Sequence, residues 1–124
     1  MRLLVDTHVV LWWLTGDDQL SDDVASRLSD EPEVHLSAAT VWEVAVKQAL
    51  GKFDGPDDLP ERLSDLGFRA LPMTAAHAVE AARLPSIHRD PFDRMLIAQA
   101  LFEGLTIVTR DPIIARYGVP AVAA

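Results

Sequence analysis

HRDPFDRMLIAQALFEGLTIVTRD, residues 88–111, contains the longest helical pattern in the chain, and a strand pattern follows it directly. Asp90-Pro91 suits a helix start: the aspartate caps free N–H groups, and the proline has no N–H to satisfy. The apolar run MLIAQALF carries the helix on, and LTIVTRD returns as a short apolar strand. A strand that is nearly continuously apolar belongs in a parallel sheet covered on both faces, because βαβ crossovers place helices there.

The same alternation extends in both directions. RLLVD at 2–6 reads as a buried strand and VVLWWL as the helix after it, with a turn from Thr15 to Asp18. SDDVASRLSD is a helix opened by Ser21, and EVHLS at 33–37 is the next strand. AATVWEVAVKQAL, residues 38–50, is a helix apolar on most faces that stops at Gly51, and GKFDGPDD at 51–58 is a loop. A short helix in LPERLSDLG, a strand in FRALP, a helix in TAAHAVEAARLP and a loop in PSIHRD lead back to the opening stretch. After it come a short helix in DPIIARYG and a last edge strand in VPAVA, where Pro120 is tolerated. The expectation is one α/β domain over residues 1–124, a three-layer sandwich with a central, mostly parallel sheet flanked by helices.

Composition supports a folded, water-soluble chain. Of 124 residues, 49% are hydrophobic and 24% charged, and no run approaches the roughly 20 apolar residues of a membrane span. Asp6 and His8 interrupt the apolar N-terminus and no small-residue cleavage pattern follows, so it does not read as a signal peptide and a cytoplasmic location is the expectation, with which the absence of cysteine agrees. Eleven basic against nineteen acidic side chains give a formal charge of −8, the wrong sign for general attraction to nucleic acid. A polyanionic substrate would need metal ions among the carboxylates and a local set of basic residues. Otherwise the acidity is a solvated surface that aids solubility.

Several acids fall where the sheet's carboxyl ends should be, the edge at which open α/β sheets bind ligands. Asp6 ends the first strand, and it is either the N-cap of the next helix or a working carboxylate. Glu43 lies in VWEVAV, where it closes a capping box with Thr40, pairs with Lys47 four residues on, or stands as a buried carboxylate that needs a compensating charge. Asp90 is accounted for as the cap before Pro91. Asp93, at the third helical position, is the spare carboxylate, although the helix dipole also favours it there. Asp111 precedes Pro112 and repeats the cap motif. Caps do not predict that these acids converge on one edge. Carboxylates gathered there ionise together only with a divalent cation, and hard oxygen ligands without Cys favour Mg²⁺ or Mn²⁺ over zinc.

With these residues in place the chain resembles the PIN domains, most closely the VapC-type toxins of type II toxin–antitoxin pairs. LLVDTHVVLWWL, SAATVWEVAVK, HRDPFDRMLIAQA and TIVTRD carry the resemblance, in that order, from Leu3 to about Val122. The resemblance implies a PIN-like sandwich and metal-dependent cleavage of RNA with Mg²⁺ or Mn²⁺. It makes Asp6, Glu43, Asp93 and Asp111 the acidic metal-binding and catalytic set. It also implies a small cognate antitoxin and a homodimer. Beside the set, Thr109 and Asp90 are supporting residues, and Arg89, Arg94 and Arg110 are the candidate RNA contacts. Arg116 reads as a surface residue. The four histidines form no acid–base arrangement, with His8 packing locally below the site. Trp12, Trp13 and Trp42 read as core or subunit contact rather than base-stacking platforms.

Three other readings compete. A phosphoacceptor receiver domain has a similar length and acids at strand ends, but EVHLS ends in Ser37 and LTIVTR lacks the late lysine. A phosphotransfer enzyme with a D-x-D turn needs a second acid where Thr7 and His8 follow Asp6. A PIN fold that has lost catalysis and only binds a partner would not need all four acids.

Overall fold

The computed structural model describes residues 1–53 and 55–124, so the loop expected over 51–58 is described except at position 54. Five strands form one sheet: β1 (Arg2–Val5), β2 (Glu33–Ser37), β3 (Arg69–Leu71), β4 (Thr106–Thr109) and β5 (Ala121–Ala123). Their order is β3-β2-β1-β4-β5 and every pairing is parallel. Among the described residues, seven helices connect them: α1 (Thr7–Thr15), α2 (Asp22–Asp30), α3 (Ala38–Ala49), α4 (Leu59–Asp65), α5 (Ala75–Arg83), α6 (Pro91–Glu103) and α7 (Pro112–Ala115). The α/β sandwich is thus as the alternation of patterns predicts, with a sheet that is parallel throughout.

Side chains that alternate along the strands divide the core in two. Leu3, Val5 and Val108 join Val9, Val24 and Leu63 on one face, whereas Leu4 and Ile107 join Leu96, Ile97 and Ile114 on the other. One buried polar pair pins α6 to the sheet: the Ser37 hydroxyl donates to Gln99 Oε1 at 2.5 Å and accepts the Ala39 N–H. No described helix is long and apolar enough to cross a membrane.

The local signals are used as the sequence suggests, with some changes. Ser21 accepts the Val24 N–H and Asp90 accepts those of Phe92 and Asp93. The α5 cap is a box closed by histidine, in which Thr74 accepts the His77 N–H and His77 Nδ1 accepts that of Thr74. β3 and β5 are shorter than FRALP and VPAVA suggest, since Pro72 and Pro120 flank them without an N–H for the ladder. Trp12 and Trp13 pack, half-buried, against the first core cluster. Trp42 is not core: it is 55% exposed and meets Phe92 edge-on, with ring centroids 4.9 Å apart.

The order β3-β2-β1-β4-β5 places β1 beside β4, although β2 and β3 lie between them along the chain. At such a switch point the connections leave in opposite directions and open a crevice at the strands' carboxyl ends. Asp6 follows β1 there, Thr109 ends β4, and Asp111 lies two residues beyond it.

Candidate metal centre

Asp6 occupies the N-cap position of α1, yet its side chain makes no cap bond. Its N–H is held by Val108 O across the sheet at 3.0 Å, and its Oδ2 accepts the Thr109 hydroxyl at 2.7 Å. Because Thr109 Oγ1 also accepts the Asp111 N–H at 3.0 Å, the hydroxyl proton points at Asp6. Burial pushes the Asp6 carboxyl up from its ordinary range, against the pull of the Thr109 hydrogen bond and the His8 charge. His8 itself is exposed rather than packed below the site.

Glu43 is 3% exposed, on the inner face of α3. The capping box with Thr40 does not form, because α3 starts earlier, at the Ser37 cap. Thr7 donates its hydroxyl to Glu43 Oε1 at 2.8 Å, which leaves Thr40 to donate to Thr7 at 3.1 Å. Oε2 takes the Lys47 ammonium at 2.8 Å, the i,i+4 alternative. This hydrogen bond raises the Lys47 pKa, and the charges of Asp90 and Asp93 add to it.

Asp93 is pushed up to about 7, first by burial, then by the charges of Asp6 and Asp90 and more weakly of Glu43, with His88 pulling the other way. Carboxylates from the turn after β1, from α3 and from α6 therefore act on one another in the crevice. Asp90 is engaged differently, as the cap of α6.

His88 is the site residue that sequence reasoning missed. Its Nδ1 accepts the Asp90 N–H at 3.2 Å, which turns Nε2 toward the carboxylates. Nε2 lies 2.9 Å from Asp111 Oδ2 and 3.1 Å from Asp93 Oδ2. One ligand atom from each of His88, Asp93 and Asp111 falls within 4.8 Å of the others. Asp111 also caps α7 through Oδ1 at 2.9 Å, so both of its oxygens are engaged. A histidine two residues before a capping aspartate was the available signal, but its partner Asp111 is 23 residues away.

The arginines divide. Arg94 turns its guanidinium inward onto the carbonyls of Ala81, Leu84, Pro85 and His88 and the Tyr117 hydroxyl. It ties the end of α5 and the following loop to α6, a structural position rather than an RNA-facing one. Arg94→Ala should therefore lower stability by roughly 1.5–3 kcal/mol in urea unfolding, as the loss of hydrogen bonds from a charged donor does. Arg110 bonds Ala124 O and Gln19 O and lies 4.4 Å above the Trp12 ring. Arg89 and Arg116 are exposed or nearly so.

A divalent cation fits this donor set. Ligand atoms of His88, Asp93 and Asp111 lie within 4.8 Å of one another, and the Asp93 carboxyl, raised first by burial and then by the charges of Asp6 and Asp90, is the group that a cation beside it would return to its ionised form.

The profile of the PIN domain matches residues 3–120 of the chain. Ribonuclease VapC22 of Mycobacterium tuberculosis is 27% identical over 117 residues, covering 88% of this chain and 86% of that protein. Among solved structures, FitAcB from Neisseria gonorrhoeae superposes with a TM-score of 0.69 at 25% identity, over 97% of this chain and 96% of that one. DNA-bound VapBC from Salmonella typhimurium does so with a TM-score of 0.75 at 15% identity, over 99% and 98%.

Proposed function

This chain belongs to the PIN domain family, and from that membership and the carboxylate cluster we propose that it is a metal-dependent ribonuclease, the toxin of a toxin–antitoxin pair. The observation that carries the reading is the group of His88, Asp93 and Asp111, one ligand atom of each within 4.8 Å of the others at the sheet's carboxyl edge, with the buried Asp6 and Glu43 acting on the Asp93 carboxyl. Residues 1–124 act as one nuclease domain. In this reading Asp6, Glu43 and Asp93 hold Mg²⁺ or Mn²⁺, and Asp111 completes the set through His88. When bound, the metal supplies an activated water and charge stabilisation at the scissile phosphate, so no protein nucleophile is needed. Thr109 and Thr7 fix the Asp6 and Glu43 carboxylates, each donating a hydroxyl proton to one oxygen. Asp90 holds the start of α6 and thereby the position of Asp93.

The relatives supply the biological setting: one is named a ribonuclease and another is a VapBC complex. We therefore assign RNA as the substrate and a small antitoxin protein as the inhibitor, and from the family resemblance we take a homodimer as the working form and the cytoplasm as its place. A chain that only binds a partner has no use for mutually repelling buried acids, which weakens the silent-module alternative. Cleavage of total RNA by the purified chain should require Mg²⁺ or Mn²⁺ and stop with EDTA. Undiminished cleavage in chelator would overturn the metal mechanism.

A further inference from the structure

We propose that the cleft between α1 and α3, beside the carboxylates, is a nucleotide subsite that holds one nucleotide of a single-stranded RNA next to the scissile phosphate. Its base lies against Trp12 and Phe53, and its phosphates meet Lys47 and Lys52. The inference rests on the ribonuclease reading and deepens it by naming where the substrate strand runs.

The cleft has a volume of about 480 Å³, within the size range of small-ligand sites. His8 and Trp12 reach it from α1 and Lys47 from α3, while Lys52 and Phe53 come from the segment after α3. Asp17 lines it too, with one oxygen engaged by the Gln19 N–H. The cleft is continuous with the carboxylates: Thr7 lines it and donates to Glu43, and Lys47 holds Glu43 Oε2 with a side chain still 43% exposed.

Charge makes the cleft distinctive. On a molecule of formal charge −8, Lys52 and the half-exposed Lys47, whose ammonium also pairs with Glu43, offer a polyanion a local approach beside the acids. Aromatic faces add sequence-tolerant stacking, the combination that single-strand binding uses. Among the described residues, the Trp42–Phe92 pair has Arg94 as the cation lining its groove, and that guanidinium is engaged within the fold.

The test follows a short fluorescein-labelled single-stranded RNA by anisotropy in EDTA, so that nothing is cut, over a range of NaCl concentrations. Lys47→Gln with Lys52→Gln should weaken binding by roughly tenfold and lower the slope of log affinity against log salt by about 0.7 for each phosphate no longer neutralised. Phe53→Leu, which keeps the apolar packing but loses the flat ring, should also weaken binding roughly tenfold with the slope unchanged. In Mg²⁺, Lys52→Gln and Phe53→Leu should raise KM far more than they lower kcat, the Lys47 variant being read by binding in EDTA alone because Lys47 also pairs with Glu43, and Lys52→Gln alone, at an open site, keeps the test valid if another variant misfolds. Wild-type affinity and slope in all three, with cleavage intact, would overturn the subsite, leave the cleft to a protein partner and spare the ribonuclease reading. A wild-type chain that neither binds nor cuts RNA would overturn both.

Discussion

Asp6→Asn should abolish RNA cleavage while leaving the fold in place. The amide keeps the volume and can still accept the Thr109 hydroxyl, so the contact across β1 and β4 survives. The charge that holds a cation is gone. Losing a group that merely supports a metal ligand costs about 10–100-fold, so losing the ligand itself should exceed that range. In EDTA the variant should melt at or above the wild-type temperature, because a buried carboxylate already displaced from its ordinary range no longer has to ionise. Mg²⁺, which should raise the wild-type melting temperature by binding only the folded chain, should raise the variant's much less. Melting curves with and without Mg²⁺, beside a cleavage assay, read all three effects. A variant that still cuts at the wild-type rate would remove Asp6 from the centre of the site.

Asp90→Ala and Asp93→Ala should behave in opposite ways although they are three residues apart. Asp90 caps α6 with two hydrogen bonds, so its loss should cost about 0.5–2 kcal/mol in stability, with cleavage surviving in folded protein. Asp93→Ala should lose cleavage and Mg²⁺ stabilisation while its metal-free stability holds or rises, since one of the mutually repelling charges has gone. The pH dependence gives an independent check. Asp93 sits at about 7 in the folded chain against an ordinary 3.8, so between those values the folded state holds a proton that the unfolded state has released. Unfolding there releases a proton, and metal-free stability falls as pH rises through this window. Asp6, shifted the same way, adds to the slope, so Asp93→Asn should flatten it without removing it. A cation competes with that proton, so cleavage at limiting Mg²⁺ should rise through neutral pH with a midpoint that moves down as Mg²⁺ increases. A midpoint indifferent to Mg²⁺ would separate Asp93 from the metal.

Caps and patterns were legible because they are local. Ser21 and Asp90 bond N–H groups two or three residues away, and the alternation of Leu3, Leu4 and Val5 between two cores follows from the strand period of two. The α/β class, the helix over 91–103 and the identity of the buried Glu43 as an anomaly all follow from such short-range rules. The same locality misleads at Glu43, where T-x-x-E satisfies the spacing of a capping box but Ser37, three residues before Thr40, takes the cap. At Asp6 it misleads again, since a cap position is filled by a carboxylate that does not cap.

What the sequence by itself determined is therefore the set of elements and the presence of more acids at their ends than capping requires. What only the tertiary structure decided is which groups meet. The β1–β4 pairing brings Thr109 onto Asp6 across 103 residues, and the approach of α1 to α3 brings Thr7 onto Glu43 across 36. His88 reaches Asp111 from a loop 23 residues earlier, and Arg94, which looked free for RNA, is drawn onto carbonyls by the packing of α5 against α6. The physical reason is range. Periodicity and capping act within a turn or two of chain, whereas the desolvation and like-charge repulsion that set the Asp93 carboxyl at about 7 depend on distances that only the assembled sheet fixes.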